Sequence, residues 1–350
     1  MKLLGLGRLT VAACFLVLGA YALAAPQTGG YHLLKKIPFG AAEGGGEYYD
    51  YTTVDAAARR VYLTHGTEVI VIDADSFATV GKLSGFKQVH GVALVSELGR
   101  GFITDGGSDR TVIFDLKTLK TIGEVKTPSG PDDIIYDPAS KHIFTFNGRT
   151  NDATAVDPAN GTVVGSVPLG GSPETGVADG KGMIYDNLHT NEVVAFDSRT
   201  LQVKARWPVA PAGETYSMAI DRQHRRLFLG GRNPKLFVVM DADSGKIGGQ
   251  SFPIGDRVDG NVYDPQTGLV AAATREGTIH IFHEDSPDKL SLVETVKTEF
   301  GARTLALDPK THNLYVDTTD FTPPAAPTEK QPNPQPQSIP GTFHVLIYGR

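Results

Sequence analysis

Val71-Ile72-Asp73 is the first of six stretches in which a hydrophobic pair runs into a polar turn residue. The others are Ile113-Phe114-Asp115, Ala155-Val156-Asp157, Ala195-Phe196-Asp197, Val239-Met240-Asp241 and Ile281-Phe282-His283. From Asp73 to His283 the steps are 42, 42, 40, 44 and 42 residues. A period near 42 built from short strands and tight turns predicts an all-β chain folded as a β-propeller, one four-stranded blade per repeat. Composition agrees. Gly 40 and Pro 22 suit a turn every few residues, and 40% hydrophobic residues suffice for a packed core. No long stretch carries a 3.6-residue apolar period, so helix should be scarce.

Working outward from the repeat, each unit opens with a short strand and turns through an Asp-Pro-like hairpin. Asp137-Pro138-Ala139-Ser140, Asp264-Pro265-Gln266-Thr267 and Asp308-Pro309-Lys310-Thr311 are clear copies. Aspartate bonds its own backbone there and proline presets φ. Second strands follow, such as Val61-Tyr62-Leu63-Thr64, Ile143-Phe144-Thr145-Phe146 and Leu314-Tyr315-Val316. First strands begin near Tyr49, His90, Asp132, Glu174, Tyr216, Asp259 and Arg303, which makes seven blades. The seventh lacks a fourth strand, because its third, Val345-Leu346-Ile347-Tyr348, stands two residues from Arg350. Leu34-Lys35-Lys36-Ile37-Pro38-Phe39-Gly40 matches Val164-Gly165-Ser166-Val167-Pro168-Leu169-Gly170 and is expected to complete it, closing the ring and removing an open seam. One insertion breaks the spacing. Residues 321–340 hold seven prolines between the second and third strands of blade seven. They are expected to stay out of any sheet, as a loose loop or as an arm or partial lid over the channel mouth.

Residues 1–25 read as a signal peptide: Lys2 and Arg8, an apolar run from Leu9 to Ala20, then Ala22-Leu23-Ala24. Residues 26–350 would form the single propeller, periplasmic or secreted, with no membrane span after cleavage. Cys14, the only cysteine, lies inside the signal, so disulfides, thiol nucleophiles and cysteine metal sites are excluded from the mature chain. Cleavage removes two bases and no acid, moving the formal net charge from −6 to −8. That sign opposes general binding to nucleic acid. Arg222, His224, Arg225 and Arg226 cluster in one turn and read as a solvated hairpin tip.

The Asp-Pro-x-Thr/Ser turns followed by Val/Ile/Leu-Tyr/Phe-Val/Leu strands resemble the bacterial YncE-like, or YVTN, propeller family over residues 31–350. Leu227-Phe228-Leu229-Gly230 and Met183-Ile184-Tyr185-Asp186 depart from the signature. The WD40 pattern fits poorly, since Trp207 is the only tryptophan. The resemblance implies an exported seven-bladed propeller that binds a ligand or partner.

Propeller ligands tend to sit at the channel mouth, where all blades converge. The candidate ring is Tyr49, His90, Asp132, Glu174, Tyr216, Asp259 and Arg303. Neighbours Asp50, Asp133, Glu214 and Arg257 are expected to add to it, as are His65, Asp105, Arg110, Asn147, Arg149, His189, Arg232 and Arg275 from the loops between second and third strands. No cofactor motif is present. A divalent cation is the one candidate, held by the oxygens of Asp132, Glu174 and Asp259, with His90 as a nitrogen ligand or proton shuttle. Tyr48, Tyr49 and Tyr51 offer rings for stacking, with Tyr49 and Tyr51 expected on one face. Glu43-Gly44-Gly45-Gly46-Glu47 lacks the Gly-Lys-Ser/Thr ending of a phosphate loop, and no nucleophile elbow or His-Glu-x-x-His pair occurs. Two readings lead. One is a non-enzymatic binding protein that takes a small molecule or protein at the mouth. The other is a metal-dependent hydrolase of lactonase type. Redox service with a quinone or cytochrome ranks last, for want of a haem motif and of tryptophans.

Overall fold

The computed structural model describes residues 29–326 and 332–350, so the predicted signal peptide lies outside the described residues. Seven four-stranded antiparallel sheets form a ring. Blade one comprises Tyr49–Asp55, Arg60–His65, Glu68–Asp73 and Thr79–Ser84, and blades two to six repeat this order from the channel outward. In blade seven, Leu305–Leu307, Leu314–Thr318 and His344–Gly349 are joined by His32–Pro38 as the outermost strand. Leu33 faces Tyr348, Lys36 faces Leu346 and Ile37 faces Val345. The ring therefore closes as the sequence match predicts. The closing strand is mostly exposed, so the backbone ladder rather than burial holds it.

The opening motif has a local cause. Its acid caps the hairpin between third and fourth strands: the Asp73 carboxylate accepts the Ser76 amide at 2.7 Å and Asp115 accepts that of Thr118 at 2.7 Å. Asp197 and Asp241 do the same for Thr200 and Ser244, at 2.8 Å each. His283 breaks the pattern, and there the hairpin lengthens into strands Thr278–Ser286 and Lys289–Lys297.

Second strands are buried on both faces, and alternation splits them between neighbours. Val61 and Leu63 pack with Tyr315, Val345 and Ile347 of blade seven, whereas Tyr62 packs with Val89, Ile103 and Phe114 of blade two. The core is thus a set of wedges between blades. Each fully buried side chain of this size is worth roughly 1.5–3 kcal/mol.

Two expectations are refined. The described part of the proline-rich insertion joins none of the seven sheets, as expected, but it is pinned at its root. Phe321 bridges Ser338, Thr322 N donates to Gln337 O at 2.8 Å and Ile339 N donates to Asp320 O at 2.8 Å. Gly341 N then donates to Glu47 Oε1 at 2.7 Å, which ties the arm to the glycine-rich loop. The arginine-rich turn is exposed at Arg222 and His224, as expected of a tip, but its arginines are engaged. Arg222 Nε donates to Ala178 O at 2.8 Å, Arg225 pairs with Asp179 and Asp243, and Arg226 pairs with Asp241 and Asp288.

Candidate binding site at the channel mouth

The first strand of six blades carries a register shift just inside its start. The shifts fall between Tyr49 and Thr52, Val89 and Val92, Pro131 and Ile134, Pro173 and Gly176, Thr215 and Ser217, and Val258 and Gly260. A bulge adds one residue to a strand and re-aims its side chain. The residues so placed are Asp50, His90, Asp132, Glu174, Tyr216 and Asp259, and Arg303 stands two residues ahead of the first strand of blade seven. Second-strand hydroxyls and carboxylates serve the freed backbone. Thr64 Oγ1 accepts from Asp50 N at 3.2 Å, Thr104 Oγ1 from Gly91 N at 2.9 Å and Asp186 Oδ1 from Glu174 N at 3.3 Å.

A cavity of about 280 Å³ opens there, lined by Tyr48, Asp50, Asp132, Glu174, Tyr216, Arg232, Arg257, Asp259, Arg275 and Arg303. Of the seven ring residues expected from sequence, five line it. His90 sits immediately behind the wall. Tyr49 does not face the channel: it is buried in the wedge between blades seven and one, its hydroxyl donating to Gly301 O at 2.9 Å. Blade one is displaced by one residue in the sequence reading, and Asp50 holds the ring position. The same bulge separates Tyr49 from Tyr51, whose phenol reaches across the channel to Glu174 O at 3.1 Å.

The wall is electrically divided. Blades one to four supply acids and an imidazole. His90 Nδ1 lies 2.8 Å from Asp50 Oδ2, 2.9 Å from Asp132 Oδ1 and 2.9 Å from the Tyr48 hydroxyl. Tyr48 donates to Asp50 Oδ2 at 2.5 Å. Burial disfavours the imidazolium, but hydrogen bonds to Asp132 and Asp50 outweigh it and push the His90 pKa up to about 10. Glu174 Oε2 lies 2.6 Å from His189 Nε2, and His189 stacks on Tyr216 at 4.4 Å. Desolvation, then the charge of Asp132, holds the Glu174 carboxyl well above its usual range. Desolvation and Arg232 push His189 down. Both shifts disfavour the ionised pair.

Blades five to seven supply arginines. Asp259 takes both Arg232 and Arg303, and the Arg232 guanidinium lies 3.3 Å from the centre of the Tyr216 ring. Arg257 and Arg275 are joined through their backbones, Arg275 N to Arg257 O at 3.0 Å. Among the described residues neither meets a carboxylate within 4.0 Å, and the buried Arg275 Nε has no hydrogen-bond partner. Desolvation, then repulsion from Arg303, lowers the Arg275 pKa. Its guanidinium lies 5.7 Å from the rings of Phe300 and Phe321, so the root of the proline-rich arm meets the rim at this point.

Beneath the mouth lie carboxyls that the sequence reading left out or named only in passing. Burial, countered by the amides of Gly176 and Ile134, sets the Asp133 pKa at about 7. Burial, countered by Thr304 and Arg303, sets Asp317 at about 7 as well. Burial also holds Asp186 well above its usual value. The available signal was an acid where Thr64 and Thr104 stand in otherwise apolar second strands, as in Leu314-Tyr315-Val316-Asp317.

The proposed trio Asp132, Glu174 and Asp259 is not brought together as a ligand set. Asp132 converges instead with Asp50 and His90, their ligand atoms all within 4.8 Å of one another. Glu174 is taken by His189, and Asp259 by two arginines. Of the loop residues, Arg232 and Arg275 line the cavity. His65 is buried against Phe343, and Asp105 accepts the Lys87 and Gln88 amides at 3.0 Å each.

No family model matches the chain, and no curated protein matches it. Among solved structures it is similar to the Cps50 (Swd1) β-propeller domain of Myceliophteria thermophila, with a TM-score of 0.70 and 11% identity over 92% of this chain and 100% of that one. It is also similar to hydrazine synthase of Kuenenia stuttgartiensis, with a TM-score of 0.67 and 14% identity over 77% of this chain and 91% of that one. At such identities the likeness is one of fold. The resemblance to YncE-like proteins rests on the sequence motifs alone.

Proposed function

We propose that the protein is an exported, YncE-like propeller that binds a small polar molecule carrying a carboxylate or phosphate at the channel mouth. The observation that carries this reading is the Arg257–Arg275 pair. These two guanidinium groups face the cavity with no carboxylate within 4.0 Å among the described residues, beside two more that share Asp259. A partly desolvated cation without a counter-charge is costly unless something supplies one, and guanidinium geometry suits oxyanions. The acid side, with Tyr48, His90 and Tyr216, offers hydrogen bonds to the uncharged or cationic end of the same molecule. The root of the proline-rich arm lies beside Arg275, with the Phe321 ring 5.7 Å from its guanidinium, and the arm is a candidate second contact for a bound ligand. Among the described residues no helix is long and apolar enough to cross a membrane.

A thermal-shift panel of citrate, inorganic phosphate, a neutral hexose and a diamine tests the reading. Citrate or phosphate should raise Tm saturably in the full chain and not in Arg275→Met. Stabilisation by the hexose alone would assign the mouth to neutral ligands, and no response to any probe would refute small-molecule binding there. Fractionation of cells expressing the full chain tests export, which a purely cytoplasmic product would refute.

A second reading, a metal-dependent hydrolase, has the convergence of Asp50, His90 and Asp132 in its favour. The three would hold a divalent cation, which polarises a carbonyl and activates water. His90 is then a ligand and not a proton shuttle. Metal analysis and a lactone-cleavage assay decide it: no bound cation and no cleavage after adding one excludes the enzyme.

A further inference from the structure

The face opposite the mouth carries the turns between first and second strands, and three of its junctions share a pattern. The residue four places after the turn aspartate is left-handed, with φ of 56° at Arg59, 57° at Arg225 and 59° at His312. These three reach the turn aspartate of the preceding blade, whereas Lys141 of blade three, with φ of 60°, meets no such aspartate because blade two turns through Val95-Ser96-Glu97. Arg59 binds Asp308 through two bonds of 2.8 and 2.7 Å, Arg225 Nη1 lies 3.0 Å from Asp179 Oδ2, and His312 Nδ1 lies 2.6 Å from Asp264 Oδ2.

Between blades five and six this position is Gly268, so it sends no base to Asp221. The gap is filled differently. His224 comes from blade five itself, with Nδ1 2.6 Å from Asp221 Oδ2. Blade six brings a second acid, Glu284. Its Oε2 accepts from the Tyr263 hydroxyl at 2.6 Å, while its buried Oε1 has no hydrogen-bond partner among the described residues and lies 3.6 Å from His224 Nδ1. The Asp221 and Glu284 side chains are each 2% exposed, and that of His224 is 40% exposed. The nearby Arg226 is committed to Asp241 and Asp288, at 2.6 and 2.9 Å. Gly99 occupies the matching place beside Asp55, but no such group of ligand atoms forms there among the described residues.

We propose that Asp221, His224 and Glu284 form a site for a divalent transition-metal ion of the zinc type, pinning blade six to blade five. The three ligand atoms lie within 4.8 Å of one another. Bonds of about 2 Å in a tetrahedron set ligand atoms about 3.3 Å apart. The His224–Glu284 edge is close to that already, and the shorter Asp221–His224 edge opens when the Nδ1 proton leaves. The exposed flank of His224 leaves room for water as fourth ligand. One imidazole and two carboxylates suit zinc or its neighbours, whereas calcium requires six or more oxygens. The ion would supply the positive charge that Arg59, Arg225 and His312 supply at other junctions.

Calorimetric titration of zinc chloride into the chelator-treated full chain tests this. One site is expected, at least about tenfold weaker in His224→Asn and in Glu284→Gln, and unchanged in Asp132→Asn, which alters the mouth cluster. Zinc should also raise Tm in the parent and not in His224→Asn. Absence of binding to the parent would overturn the proposal. So would binding kept in His224→Asn and lost in Asp132→Asn, which assigns the ion to the mouth. His224 is largely exposed, so its variant is expected to fold even if Glu284→Gln does not.

Discussion

At the turn face of the ring, Asp308 meets Arg59 through two short bonds and its side chain is fully buried. At the mouth, Arg257 and Arg275 meet no carboxylate among the described residues, and His90 confronts two acids and a phenol with one nitrogen. Both faces are built from the same residue types at the ends of the same strands. On the turn face, charges pair across blades at the junctions of Arg59, Arg225 and His312 and hold the ring together, the Asp221–Glu284 junction apart. At the mouth, acids collect on blades one to four and arginines on blades five to seven, where Asp259 offsets two of them, and local charge is left over on both sides. Pairing across blades marks structure, and surplus charge inside a concave wall marks a place for a ligand.

The sharpest way to break this contrast is Asp308→Ala. It leaves a mostly buried guanidinium with only the exposed Asp75, and should cost about 3–5 kcal/mol in urea unfolding. A loss below about 1 kcal/mol would show that turn-face pairs do not clamp the blades.

A smaller effect is expected from pH. Asp133 and Asp317 titrate in the folded chain at about 7, above their ordinary value of 3.8. The folded state therefore holds protons that the unfolded state has released. Their contribution to stability is full below about pH 4 and is lost as pH rises through 7. His90, raised to about 10, acts in the same direction, its contribution full below about 6.5 and lost as pH rises through 10. Each of the two aspartates should lower the unfolding free energy by about 2–3 kcal/mol between pH 5 and pH 8, a share that Asp317→Asn removes. A rise over that range would contradict the assignment.

The smallest effect concerns the surplus arginines. In buffer free of polyvalent anions, Arg275→Met should leave stability unchanged or raise it by up to about 1 kcal/mol, because it removes an unpaired, half-buried charge. A loss of more than about 1 kcal/mol would make Arg275 a structural residue.

Much of the fold was legible in the sequence, because a propeller blade repeats its turns. The aspartates from Asp73 to Asp241 advertise themselves by taking turn amides, and Leu34–Gly40 matches a fourth strand closely enough to locate the closure. The site was legible by strand but not always by residue. A bulge shifts facing by one position, and nothing in Tyr48-Tyr49-Asp50-Tyr51 says where it falls. The sequence therefore points to Tyr49 where the structure puts Asp50 in the channel wall. Ligand sets were less legible still. Asp132, Glu174 and Asp259 share a ring position, but their partners His90, His189, Arg232 and Arg303 come from other strands and loops. Those partners decide which acids remain free. The Gly268 gap and Glu284 emerge only when blades are compared at the same junction in space.

The most direct measurement is a calorimetric titration of citrate into the parent protein and into the Arg257→Met/Arg275→Met double variant at low ionic strength. A single site in the parent that weakens at least about tenfold in the variant, about 1.4 kcal/mol, is the expected result. Equal affinity in both proteins, or none in the parent, would contradict an oxyanion site at the channel mouth.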